Sequence, residues 1–195
     1  MSRLARTSTL PLLSCCALLA LGGCGDSHTR VSTGTYAGES GVGAPYLNVG
    51  PLIYQVQLSR QLNPFDTEDA SYLQGLAPLQ GTLTSSQEWL AVFIQVFNNN
   101  SQGLPAASNP TIADTQGITY SPIVPGASNQ FAYRAGTVPP KGRLPLPDSI
   151  AGAGPTQGAL LLYKIRTESL DNRPLKITFV DPNDASQRAT AELDV

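Results

Sequence analysis

One run, Trp89-Leu90-Ala91-Val92-Phe93-Ile94-Gln95-Val96-Phe97, constrains the fold more than any other stretch of the chain. Successive side chains of a strand point to opposite faces, and here both faces are apolar, so a strand at this position has to be covered on both sides. Asn98-Asn99-Asn100-Ser101 closes the run with residues that form turns through their own side chains. The expectation is a central strand inside a layered β structure.

Other segments supply its neighbours. Leu52, Tyr54, Val56 and Leu58 alternate with Gln55 and Gln57, which predicts a half-buried strand with the glutamines on its polar face. Thr111 to Ala113 and Ile118 to Tyr120 flank Asp114-Thr115-Gln116-Gly117, a tight hairpin in which glycine supplies a positive φ. Phe131 to Arg134 is a short strand candidate. Ala159 to Ile165 and Leu175 to Val180 read as two more strands around Asp171-Asn172-Arg173-Pro174. Ala189, Ala191, Leu193 and Val195 alternate with Arg188, Thr190, Glu192 and Asp194, a last strand with one wet face. The four prolines between Val138 and Pro147 remove ladder donors and leave an extended loop or an edge. A single helix is expected from Thr67 to about Gln74, with Asp66 as its N-cap, Asp69 in its first turn, and Tyr72 and Leu73 covering the β frame. About seven short strands with one helical insertion define an all-β, antiparallel sandwich.

The first residues carry an address rather than a fold. Arg3 and Arg6 precede an apolar run from Leu10 to Leu21, about a dozen residues where a membrane-spanning helix needs roughly 20, and small residues follow. Leu21-Gly22-Gly23-Cys24 resembles the lipobox of bacterial lipoproteins, although glycine is a less usual occupant of position 22 than Ala, Ser or Thr. That resemblance implies cleavage before Cys24 and diacylglyceryl attachment, with palmitate among the acyl chains, on its thiol. Cys15 and Cys16 offer an earlier cut that would leave a very short apolar core, and the polar Gly25-Asp26-Ser27-His28 favours Cys24. The division that follows is a signal peptide over 1–23, a flexible tether over 24–46 and one β-sandwich domain over 47–195, on the extracytoplasmic side of a cell membrane.

Losing the signal removes two of the three cysteines, and acylation takes the third, so no disulfide or thiol chemistry is expected of the mature domain. With Arg3 and Arg6 gone, ten of the twelve basic residues face all fourteen acidic ones, a net charge of −4. A weakly acidic surface argues against nucleic acid or a polybasic lipid-binding patch.

The strand order described above, together with Val92-Phe93-Ile94-Gln95-Val96-Phe97-Asn98-Asn99, the Pro140-Lys141-Gly142 turn and Leu160-Leu161-Leu162-Tyr163, is similar to the telokin-like, immunoglobulin-like domains of exported bacterial lipoproteins. The similarity runs from about Leu47 to Pro182. Many of those domains have no known function, so it implies fold and placement, and carries over no functional residue.

Chemistry is sparse. His28 is the only histidine and lies four residues from Cys24, so neither a Ser-His-Asp nor a Cys-His arrangement can be built in the domain. There is no Ser-x-x-Lys and no Gly-x-Ser-x-Gly, and the glycines at Gly41 to Gly43 and Gly152 to Gly154 read as turns rather than phosphate loops. Asn63, Asp66, Glu68 and Asp69, and again Asp181, Asn183 and Asp184, have oxygens of the kind calcium takes, without the spacing of a complete calcium loop. No metal site, cofactor or catalytic residue is assigned. Tyr46, Tyr54, Tyr72, Trp89, Tyr120, Tyr133 and Tyr163 are either core or a recognition face. The functional expectation is a lipid-anchored binding or accessory module that acts on an envelope protein. The alternatives are a small-ligand binder with a pocket at one end of the sandwich near the proline-rich loop, and a carboxylate-dependent enzyme.

Overall fold

The computed structural model of the chain describes residues 29–31, 46–154, 156, 158–193 and 195; the signal segment, Cys24, His28 and Gly41 to Gly43 lie outside the described residues. Strands β1 (Thr29–Val31), β2 (Tyr46–Val49) and β3 (Leu52–Leu62) lead into the short helices α1 (Thr67–Tyr72) and α2 (Pro78–Gly81). The chain continues through β4 (Gln87–Phe97), β5 (Leu104–Pro105), β6 (Thr111–Ala113), β7 (Thr119–Tyr120), β8 (Thr137–Val138), β9 (Arg143–Leu144) and α3 (Ile150–Ala153). It ends with β10 (Ala159–Arg166), a 3-10 turn η1 (Thr167–Leu170), β11 (Leu175–Val180) and β12 (Arg188–Leu193).

The fold is all-β. One sheet has the order β10-β4-β3-β2, with β9 continuing along the end of β4, and the other has the order β1-β12-β11-β6-β7. All pairings between named strands are antiparallel except that of β1 with β12. With β4 beside β10 and β6-β11-β12 opposite, the neighbours repeat the B–E and C–F–G adjacencies of an immunoglobulin sandwich.

β4 is covered on both sides, as its sequence requires. Leu90, Val92, Ile94 and Val96 point into the core between the sheets, against Ile112, Ile177, Phe179 and Ala191. Trp89, Ala91 and Phe93 point outward into a second core with Leu62, Tyr72, Leu160 and Leu162. The opposite sheet has one wet face: Leu175, Ile177 and Phe179 are buried while Lys176 is exposed, and β12 buries Ala189, Ala191 and Leu193.

Several sequence expectations need correction. Gln55 and Gln57 are 2% and 5% exposed, not on a wet face, and Gln57 Nε2 donates to Gln55 Oε1 at 2.7 Å. A register shift between Val56 and Leu58 explains the rest of that strand, because it moves Leu58 from the inter-sheet face to the outer core. Phe131 to Arg134 is not a strand; Ala132 makes an isolated bridge to Leu160, and the segment covers the edge of β10. The insertion carries two helices instead of one, and α3 and η1 lie elsewhere. Four further strands, β1, β5, β8 and β9, are only two or three residues long, too short for a periodic signal. One of them, β1, falls inside the stretch read as a tether and is formed by non-local pairing of Thr29 to Val31 with Thr190 to Glu192. The Asp114 to Gly117 turn is as expected, with Gly117 at φ 82°.

Tyrosines from the β3, β4, β10 side hold the crossover between the sheets. Tyr54 Oη accepts from Ala107 N (2.7 Å), Tyr133 Oη donates to Ala107 O (2.8 Å) and Tyr163 Oη donates to Pro110 O (2.8 Å). Burial pushes the Tyr54 phenol up to about 12 and raises those of Tyr133 and Tyr163 further.

Candidate functional site

The carboxylate clusters are structural. Asp66 caps α1 by accepting from the amides of Glu68 (2.9 Å) and Asp69 (3.2 Å), which satisfies donors a helix start leaves free. Asp69 is buried, accepts from Asn63 N at 2.8 Å and is ion-paired with Arg60. Asn63 Oδ1 accepts from Phe65 N. At the other cluster, Asp181 Oδ1 accepts from Asn183 N and Asp184 N, while Asp184 Oδ1 accepts from Ser186 N and Oγ, which holds its carboxyl below the ordinary value. Among the described residues no group of three His, Cys, Asp or Glu side chains is placed to hold a metal ion. Asp114, Ser169 and Tyr120 form a hydrogen-bonded chain of 2.6 Å contacts with Ser169 fully buried. Burial works to raise the Asp114 pKa, yet the Ser169 hydroxyl and the Ile118 and Gln116 amides hold it below the usual carboxylate value. These contacts tie the β6–β7 hairpin to η1.

The aromatics do not share a face. Tyr54, Tyr72, Trp89, Tyr133 and Tyr163 are buried, Tyr120 is half-buried, and Tyr46 is exposed against Phe97. What the structure brings to the surface instead is the insertion between β3 and β4. Phe65 is 95% exposed and Leu79 is 92% exposed, far beyond the roughly half-exposed Tyr46, Val124, Leu146 and Ile150. Between α1, α2 and the start of β4 lies an open groove of about 560 Å³, lined by Pro64, Phe65, Leu73, Leu76, Leu83 and Trp89 among others. It adjoins a hollow of about 450 Å³ that shares Pro64, Phe65, Leu83 and Trp89 and adds Gln61, Asp69 and Glu88. The sequence holds a signal for this face that its strand pattern conceals. Leu73, Leu76, Leu79 and Leu83 fall at helical spacing, but Gly75 and Pro78 break any helix that would bury them together.

The groove is built on a braced frame. Buried Asn129 donates to Tyr72 O (2.8 Å) and Gln74 O (2.9 Å) and accepts from the Phe131 and Ala132 amides. Gly126 N donates to Gly75 O at 2.7 Å, and Tyr72 meets Phe93 and Phe131 edge-on, at 5.0 and 4.8 Å between ring centres. On the far side Lys164 Nζ donates to Thr82 O (2.7 Å) and sits 5.2 Å from the centre of the Trp89 ring. A hollow of about 380 Å³ does exist beside Leu144, Pro145 and Leu146, where a small-ligand pocket was expected; its Arg134 Nη2 donates to the carbonyls of Pro125, Gly126 and Asn129.

No protein-family model and no curated protein matches the chain. Among solved structures, the yjhA protein of Bacillus subtilis is 12% identical, covering 77% of this chain and 97% of that one, with a TM-score of 0.49. A candidate lipoprotein, ycdA, of Bacillus subtilis subsp. subtilis str. 168 is 10% identical over 76% of this chain and 38% of its own, with a TM-score of 0.48. A β-sandwich protein of Clostridium difficile 630 is 11% identical over 77% and 91% of the two chains, with a TM-score of 0.43. Similarity this remote transfers neither a function nor a residue role. The groove is therefore judged on its own geometry.

Proposed function

We propose that this protein is a lipid-anchored binding module of the cell envelope, which docks a protein partner on the groove of the β3–β4 insertion. The observation that carries the reading is the pair Phe65 and Leu79, almost wholly exposed beside an apolar groove. Large apolar side chains so placed mark interaction surfaces, and a preformed frame lowers the ordering cost of binding.

Orientation supports a partner in preference to the bilayer. β1 runs parallel to β12 with Thr29 opposite Thr190 and Val31 opposite Glu192, so its Thr29 end faces the start of β12, and the turn that leads into β12 reaches the β2–β3 turn, where a Cβ on Gly50 (φ 55°) would collide with Asp181. From that turn β3 runs eleven residues to Leu62, beside Trp89 and the insertion, a span of about 36 Å. Thr29 follows Cys24 by five residues, at most about 18 Å of extended chain. A lipid on Cys24 thus holds the end of the sandwich opposite the groove. The acidic mature chain likewise lacks the polybasic patch that would draw its surface to anionic lipid.

The test is mild detergent extraction of wild type, Phe65→Ser with Leu79→Ser, and Gln187→Ser at the opposite end. A partner retained by wild type and Gln187→Ser and lost from the double variant is expected. Retention by all three would overturn the reading.

A further inference from the structure

The groove has a chemical polarity as well as a shape. Two carboxylates, Asp69 and Glu88, line the hollow that adjoins it, Asp66 and Glu68 stand at the start of α1, and the cations nearby are Arg60 and Lys164. Asp66 is engaged by the α1 amides, and Arg60 is paired with Asp69 and Glu68. Lys164 is held by Thr82 O and the Trp89 ring, and nearby Arg166 pairs with Glu168. Glu88 remains: it is half-exposed, it lines the hollow beside Phe65 and Trp89, and no ion pair or hydrogen bond engages its side chain among the described residues.

We infer that the groove recognises a segment of a protein partner in which an apolar side chain stands next to a lysine or arginine, the apolar group entering beside Phe65 and Trp89 and the cation pairing with Glu88. This rests on the groove being the interaction face. An unpaired carboxylate at the lip of an apolar groove selects against anionic partners and against anionic lipid, and attracts a cation flanking the buried group. Among the described residues neither basic side chain near the groove pairs with Glu88: Arg60 is held by Asp69, and Lys164 by Thr82 O and the Trp89 ring.

Trp89 is the only tryptophan in the chain and lines both hollows, so its emission reports on occupancy. The probes are three peptide amides, acetyl-Gly-Lys-Leu-Phe-Leu-Lys-Gly-amide and its forms with glutamate or serine at both lysine positions, together with phosphatidylglycerol vesicles. The purified protein should bind the lysine peptide at least about fivefold more tightly than the glutamate peptide. Glu88→Gln should abolish that difference and Glu88→Lys should invert it, with binding of the serine peptide unchanged in both. Equal binding of the charged peptides, a preference that survives Glu88→Lys, tighter binding to the vesicles, or no emission change with any peptide up to about 1 mM each overturns the proposal. Phe65→Ser separates this failure from failure of the groove itself: binding that ignores charge but needs Phe65 removes only the basic flank, whereas binding that ignores both removes the groove as the interaction face.

Discussion

At the scale of single residues, burial decides what each position tolerates. Val92 is fully buried between the sheets, so Val92→Asp places a carboxylate where water and partners are absent. That should cost about 3–5 kcal/mol of a total on the order of 5–15 kcal/mol. Gln57→Asp should also be damaging, by about 2–4 kcal/mol, because the residue is 5% exposed and its amide donates to Gln55. Gln61→Asp, on an exposed position of the same strand, should change stability by less than about 1 kcal/mol. Urea midpoints of the three variants check the order; a Gln57→Asp protein as stable as Gln61→Asp would contradict the placement of the glutamines. Asn129→Ala strips two carbonyls and two amides of their partner, and about 2–3 kcal/mol should be lost. Amide exchange in α1 should accelerate with it, and unchanged protection there would show that Asn129 does not brace the groove.

Elements differ in how far the sequence discloses them. β4, β10, β11 and β12 announce themselves through apolar periods several residues long, and the structure sets them where those periods require. β3 was legible only up to its bulge, since one extra residue reverses every later side chain and leaves no mark in composition. β5, β8 and β9 exist because distant segments pair, as when buried Asn98 donates to Gln102 O (2.7 Å) and Val138 O (3.1 Å) and so clamps the β5–β8 ribbon. That asparagine read merely as a turn residue. Asn98→Ala should therefore loosen the ribbon and lower stability by about 2 kcal/mol, a loss that thermal unfolding would register. The groove was hidden for a related reason. Phe65 and Leu79 lie in a segment whose apolar residues fit neither period once Gly75 and Pro78 interrupt it, so their exposure emerges only from how the insertion folds back on β4.

For the whole molecule, the buried tyrosines make stability depend on alkaline pH. The Tyr54 phenol is raised to about 12 by burial, and those of Tyr133 and Tyr163 are raised further, whereas an unfolded chain ionises them near 10. Below the unfolded value both states are protonated and the contribution is complete; above it the unfolded state alone releases protons, so stability falls as pH rises from about 10 towards 12, by up to about 1.4 kcal/mol per pH unit for each tyrosine. Denaturant midpoints should be level from about pH 8 to 9 and then drop, and Tyr163→Phe should make the drop shallower; a level midpoint to pH 12 would contradict the burial of these phenols. In the proposed role the sandwich presents one end for binding and keeps the other towards a lipid anchor. The most direct test of that role is a photo-crosslinking amino acid placed at Phe65 or at Gln187 in living cells. A discrete protein adduct from position 65 and none of that kind from position 187 is predicted. The same adducts from both positions, or none from position 65, would contradict the account.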